Sequence, residues 1–184
     1  MVRRFLALLA VCAALGGAHR APAQSAEEHE VKAAFLYNFV KFVEWPGEVF
    51  PASDSPLILC VLGEAGFRHT LSAMVEGRQI RNHQITVQEV THVGDAADCH
   101  VLFLSRSEDR HLPEILETVC GTHVLTVGEA SGFVARGGMI GFLIEGSKVR
   151  FEINNDAAEQ CGLQISSQLL KLARSVIPPP VVAR

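Results

Sequence analysis

Five cysteines, eight histidines and a few serine and lysine pairs are the residues of this chain whose types could do chemistry. Cys99-His100 and Cys120-Gly121-Thr122-His123 would supply four zinc ligands, but structural zinc sites use tighter paired spacings, and no two histidines stand at metal-ligand spacing on a helix. No metal is expected. Gly128-Glu129-Ala130-Ser131-Gly132 lacks the glycine–nucleophile–glycine spacing that exposes a catalytic serine on a strained elbow. Gly137-Gly138-Met139-Ile140-Gly141 enters a strand instead of opening a helix and carries no phosphate-loop lysine. Ser167 and Lys171 share a helix face four residues apart, yet a serine–lysine nucleophile needs a dry pocket, and capping or solvated roles suit them better. The chain is therefore expected not to be an enzyme and to need no cofactor.

The amino terminus says where such a protein works. Arg3 and Arg4 precede an almost unbroken apolar run from Phe5 to Leu15, and Ala21-Pro22-Ala23 offers small residues for cleavage, the three parts of a secretory signal peptide. Gly16-Gly17, His19 and Arg20 end the run short of the roughly 20 apolar residues a membrane span needs. Val11 is too bulky before Cys12 for a lipoprotein box, and Arg3-Arg4 lacks the rest of a twin-arginine motif, which leaves the general secretion route. Removing the first 23 of 184 residues leaves 161, and the loss of three arginines moves the formal charge from −4 to −7. Cys12 leaves as well, so four cysteines remain for an oxidising compartment. The expected location is the periplasm, and the acidic balance excludes nucleic acid as a partner.

The remaining chain reads as a single compact α/β domain over 24–177 with a Pro-rich tail over 178–184. A helix is expected from Ser25, with Ser25 and Glu28 as a capping box, to Trp45, because Pro46 disfavours helical backbone before it. Leu57–Leu62, Val101–Leu104 and Val124–Val127 are continuous apolar runs suited to strands buried on both faces. Gln84–Thr91 alternates as a further strand, and helices are expected over Phe67–Val75 and Leu112–Val119, the latter with Pro113 in its first turn. Buried strands separated by helices give a mostly parallel sheet with right-handed crossovers. Met139–Ile144 and Lys148–Ile153 form an antiparallel hairpin at one edge, flanked by a long last helix that Asn154, Asn155 or Asp156 caps and Pro178 ends.

These elements define the candidate sites. Cys60 inside one strand and Cys99 at the start of the next lie within bridging reach; Cys120 and Cys161 form a second bridge or are both buried thiols. Tyr37 and Lys41 share a helix face that Trp45 extends, with Asn38 beside them, as a pocket, a partner surface or plain core packing. Gly63, Ser105 and Gly128 end buried strands, where open sheets collect ligands, and Phe133, Arg136 and Asn154 are expected nearby.

Lys32-Ala33-Ala34-Phe35-Leu36-Tyr37-Asn38-Phe39-Val40-Lys41-Phe42-Val43-Glu44-Trp45-Pro46 resembles the opening signature of the YfiR family of periplasmic proteins. The resemblance continues through Cys60-Val61-Leu62-Gly63, Cys99-His100-Val101-Leu102-Phe103-Leu104-Ser105, Val124-Leu125-Thr126-Val127-Gly128, Gly132-Phe133 with Gly137-Gly138-Met139-Ile140, Arg150-Phe151-Glu152-Ile153-Asn154 and Gly162–Ala173. It implies a compact α/β domain, often dimeric, that represses a membrane-bound diguanylate cyclase through the cyclase's periplasmic part, keeps cyclic di-GMP low and restrains biofilm. It also implies the Cys60–Cys99 pairing. The family repressor's second bridge joins two cysteines close together late in the chain, and this sequence has no such pair. The expected function is that of a periplasmic repressor of a membrane signalling enzyme. The alternative is a small-ligand sensor serving a histidine kinase or an outer-membrane receptor.

Overall fold

The computed structural model describes residues 21–177. The expected signal segment lies outside the described residues except for its last three positions, and the tail from Pro178 lies wholly outside them. In chain order the elements are α1 (Ala21–Phe42), β1 (Val43–Glu44), β2 (Leu57–Leu62), α2 (Ala65–Val75), β3 (Gln79–Ile80), β4 (His83–Val90), β5 (Val101–Leu104) and α3 (Leu112–Val119). After them come β6 (Leu125–Gly128), β7 (Ile140–Glu145), β8 (Lys148–Asn154), α4 (Asn155–Gln160), β9 (Gln164–Ile165), α5 (Ser167–Leu172) and β10 (Ser175–Ile177).

Eight strands form one sheet in the order β10-β8-β7-β6-β5-β2-β4-β3. The apolar runs pair in parallel at its centre, where Leu59 faces both Val87 and Val101, and Val101 faces Leu125. β7 and β8 make the expected antiparallel hairpin, with Phe142 opposite Phe151. The hairpin is not outermost, because β10 returns to pair in parallel with β8, Val176 opposite Ile153. Side chains alternate across the sheet, so it carries two cores. Leu57, Leu59 and Val61 join α1 and α2 on one face, while Cys60, Leu62, Leu102 and Leu104 join α3 on the other. On the first face Phe39 and Phe151 meet edge to face with ring centroids 4.9 Å apart, a pair worth about 0.5–1.5 kcal/mol beyond the area it buries.

Three local expectations are corrected. Helix α1 begins at Ala21, so Ser25 lies inside it and is not its N-cap. It ends at Phe42 and not Trp45, because Val43 and Glu44 are drawn into antiparallel pairing with Ile165 and Gln164 and the Phe42 carbonyl accepts from the Ser166 amide. The long last helix is broken into α4 and α5. Gly162, at φ 72°, sits just past the end of α4; its amide bonds the Glu159 carbonyl and the Leu163 amide bonds that of Ala158, the pairing of a Schellman stop. α5 then starts afresh on Ser166, whose hydroxyl accepts from the Leu169 amide at 3.3 Å.

Candidate functional site

The chain leaves β2 toward β4 on one side and reaches β5 on the other, so the switch point of the sheet lies at the carboxyl ends of β2 and β5. Gly63 and Ser105 meet there. A Cβ on Gly63 would overlap the Ser105 hydroxyl, and that hydroxyl is 2.7 Å from the hydroxyl of Ser107. One strand further, the ring of Phe133 lies where Cβ atoms on Gly128 and Gly138 would stand, and a Cβ on Gly141 would sit 3.4 Å from the Phe133 Cβ. Phe133 is 2% exposed. Gly128, Gly138 and Gly141 thus form a cradle for the protein's own phenylalanine, and Phe133 with Glu129, Gly132 and Arg106 lines a cavity of about 440 Å³ beside it. Asn154 caps α4 by accepting from the Ala157 amide at 3.0 Å, and its amide group donates to the Val134 carbonyl at 3.0 Å. Arg136 is held by the Asp109 carboxylate and backbone carbonyl.

Sequence reasoning missed the charged group beside this cradle. Lys32 of α1 is 4% exposed and lies between the carboxylates of Glu28 and Glu129, the latter following Gly128 at the end of β6. A buried lysine needs such partners, since an unpaired charge there would cost several kcal/mol. Only the Glu28–Lys32 half of the group, at i and i+4, has a local signature. The triad ties α1 to the sheet's carboxyl edge.

The second candidate set surrounds the end of α1. Lys41 lies 4.1 Å and Arg78 4.9 Å from the centre of the Tyr37 ring. Hydrogen bonding from Arg78, reinforced by Lys41, holds the Tyr37 hydroxyl below the usual tyrosine pKa. Asn38 is exposed on the helix. Trp45 does two things: its indole N–H donates to the His123 carbonyl at 3.0 Å, and one side of it lines a cavity of about 420 Å³. Val40, Leu57, Ile80 and Phe50 give this cavity an apolar wall, and Arg81 and His83 stand in it as polar groups. Phe50 stacks on His83 at 4.0 Å and on His100 at 4.6 Å. His100 accepts from the Ile58 amide through Nδ1 at 3.1 Å, which puts its proton on Nε2, a buried atom without a partner among the described residues. Burial, and then the charge of His83, lower the His100 pKa.

Cys60 and Cys99 are joined by a disulfide with a Cα–Cα separation of 5.9 Å. The second bridge is not formed: Cys120 is an exposed free thiol and Cys161 a half-buried one. Cys120 follows α3 and Cys161 follows α4, each succeeded by a glycine of positive φ. Burial, reinforced by the neighbouring Cys120 and opposed by the Gly121 amide, raises the Cys161 pKa. Among the described residues no group of three or more ligating side chains could hold a metal ion, and no helix is long and apolar enough to cross a membrane.

Two solved structures share this architecture. A conserved domain protein from Vibrio cholerae superposes with a TM-score of 0.56 at 13% identity. An ABC domain in complex with L-Trp from Streptococcus pneumoniae does so with a TM-score of 0.54 at 12% identity. Each match covers 81% of this chain and 60% of the other, so the chain spans less than two thirds of either structure. At these identities the likeness is one of fold. The family profile described as YfiR/HmsC-like matches residues 29–174, which runs from within α1 through β8 and the corrected carboxyl-terminal pieces as far as α5. The chain belongs to the YfiR/HmsC-like family.

Proposed function

We propose that this protein is a periplasmic regulator that binds the periplasmic sensor part of a membrane-bound diguanylate cyclase and represses it. The observation that carries the reading is the family match across residues 29–174, since this family's role is regulation in cyclic di-GMP signalling from the periplasm. The site geometry is in keeping with it: the buried polar groups at the strand ends serve packing and ion pairing within the chain, and the elbow and phosphate-loop motifs are missing from the sequence. Repression of this kind requires the protein to bind the inactive state of the cyclase more tightly than the active one, because equal affinity shifts nothing. Deletion of the gene is expected to raise cyclic di-GMP and biofilm, with return to the starting level on complementation. Unchanged cyclic di-GMP, together with no inner-membrane signalling protein recovered on the tagged chain, refutes the proposal.

One observation favours a second reading, a small-ligand sensor. The 420 Å³ cavity beside Trp45 is of ligand size, and Trp45 is the only tryptophan in the chain. A periplasmic metabolite entering there would change the intrinsic tryptophan emission and raise the melting temperature by mass action. A metabolite panel that moves neither signal removes this reading.

A further inference from the structure

Among the described residues two cysteines remain outside the Cys60–Cys99 bond, and the fold sets them side by side. Cys120 ends α3 in a turn: its backbone stands at φ −62° and ψ 130°, Gly121 follows at φ 76°, and the Thr122 amide donates to the Val119 carbonyl at 3.1 Å. These are the angles of a type II turn, which favours glycine at its third position. Such a turn leaves the Gly121 amide out of its own hydrogen bond, and that amide donates to the Cys161 sulfur. The Gly121 nitrogen is about 2.4 Å from the Cys120 Cα. Rotation about one side-chain bond of Cys120 therefore carries its sulfur toward that of Cys161, with no backbone movement of the kind that forbids a bridge.

The surrounding residues hold the two segments together. The His123 ring donates through Nδ1 to the Cys161 carbonyl at 2.8 Å, and a Cβ on Gly162 would stand 3.0 Å from that nitrogen. The His123 carbonyl in turn accepts from the Trp45 indole at 3.0 Å. The two sulfurs differ in access: Cys120 is exposed, and Cys161 is half-buried against the core that α1 shares.

We propose that Cys120 and Cys161 are a reversible dithiol site, oxidised to a second intramolecular disulfide by a small disulfide and reopened by thiols while Cys60–Cys99 stays closed. The Cys120 thiolate attacks one sulfur of the oxidant R–S–S–R, so that a Cys120–S–R bond forms, the oxidant's S–S bond breaks and RS⁻ leaves. The Cys161 thiolate then attacks the Cys120 sulfur and expels the second RS⁻. Each thiol has given up its proton and each RS⁻ takes one up, so two cysteines are oxidised and one R–S–S–R is reduced to two R–S–H. The order follows from access, because Cys120 is the sulfur that solvent reaches. Burial raises the Cys161 pKa, which makes closure the slower step. Exposure also makes the new bond the labile one of the two, since Cys60 and Cys99 are only 1% and 6% exposed. Closure encloses β6, β7, β8 and α4, a loop separate from the one that Cys60–Cys99 encloses. It also fixes the segment that holds Trp45, a wall of the 420 Å³ cavity. The inference concerns the chain's own thiols and stands whether or not the protein represses a cyclase.

The test uses the full secreted chain, with Cys60–Cys99 closed and the other thiols reduced, and oxidised glutathione as the oxidant. Peptide mapping by mass spectrometry is expected to find glutathione on Cys120 first and a Cys120–Cys161 cross-linked peptide afterwards, with the tryptophan emission changing as the cross-link forms. Cys161→Ser is expected to stop at the glutathione adduct without the emission change, and Cys120→Ser to slow modification of the remaining thiol about tenfold. Dithiothreitol is expected to open Cys120–Cys161 at about a tenth of the concentration that opens Cys60–Cys99. A glutathione adduct that persists on Cys120 of the wild type overturns the proposal, as do two thiols that remain free after prolonged oxidant. A Cys120 cross-link found only between two chains overturns it as well, and so does a bond that opens no earlier than Cys60–Cys99.

Discussion

The cradle around Phe133 makes a quantitative prediction about cores. Truncating this ring by Phe133→Ala removes a side chain that is 2% exposed, for which the usual cost is about 3–5 kcal/mol. Gly138→Ala attacks the same contact from the other side. Its new Cβ would fall on the Phe133 ring, inside the 3.0 Å that real Cβ contacts respect, and Gly138 is not among the glycines with positive φ, so the penalty is steric and not conformational. Overpacking of this kind costs about 1–3 kcal/mol. The two perturbations must therefore compensate. In the Phe133→Ala background the Cβ enters the space the ring has left, and the added cost of Gly138→Ala should fall to about zero, a coupling of roughly 1–3 kcal/mol. Urea denaturation of the wild type, both single variants and the double variant, followed by far-ultraviolet circular dichroism, closes the cycle. If Gly138→Ala costs the same in both backgrounds within about 0.5 kcal/mol, the glycine is required for some other reason and the cradle argument is wrong. Gly128→Ala should behave like Gly138→Ala.

Three further outcomes follow from the other buried groups. Lys32→Met strands the Glu129 carboxylate, only 8% exposed, and should cost about 3–5 kcal/mol in urea denaturation, while adding Glu129→Met should recover most of it. His100 has its pKa lowered below 6.5 by burial and by His83, so the unfolded chain binds the proton first. Its contribution is therefore complete above pH 6.5 and is lost as the pH falls from there toward the folded-state value. The melting temperature of His100→Asn, whose side-chain oxygen can still accept from Ile58, should depend less on pH over that window than the wild type does. Reduction of Cys60–Cys99, which closes a loop of sequence separation 39, should cost up to about 4 kcal/mol on the chain-entropy account, read as a lower urea midpoint in reductant. A midpoint unmoved by reductant counts against that account.

Much of the sheet was legible because strands buried on both faces leave unbroken apolar runs, as at Leu57–Leu62 and Val101–Leu104. The last helix was misread for a local reason. Its apolar spacing from Leu163 to Ala173 masked the stop signal, although Gly162 is the residue type that ends helices in this way. β10 left no pattern, because three residues next to prolines show no period. The candidate sites were less legible than the fold. The strand-end glycines were rightly placed at the sheet's carboxyl edge, but an open turn and a cradle for a distant aromatic side chain look alike in sequence. Glu129 could not be matched to Lys32, 97 positions away, and the partnership of Phe50 with two histidines likewise depends on the way β2, β4 and β5 come together.

The Cys60–Cys99 bond has a mechanical consequence. It closes a ring that contains α2, β3 and β4, so a force applied through the two ends of the chain passes across the bond and never reaches the residues inside. A molecule pulled apart with the bond intact should release a contour shorter by the ring's 39-residue separation, roughly 130 Å at about 3.4 Å per extended residue. Strand β4 lies on the shielded side. Tension would pull β5 and the start of β2 out of the sheet without extending β4 itself until the sulfurs part.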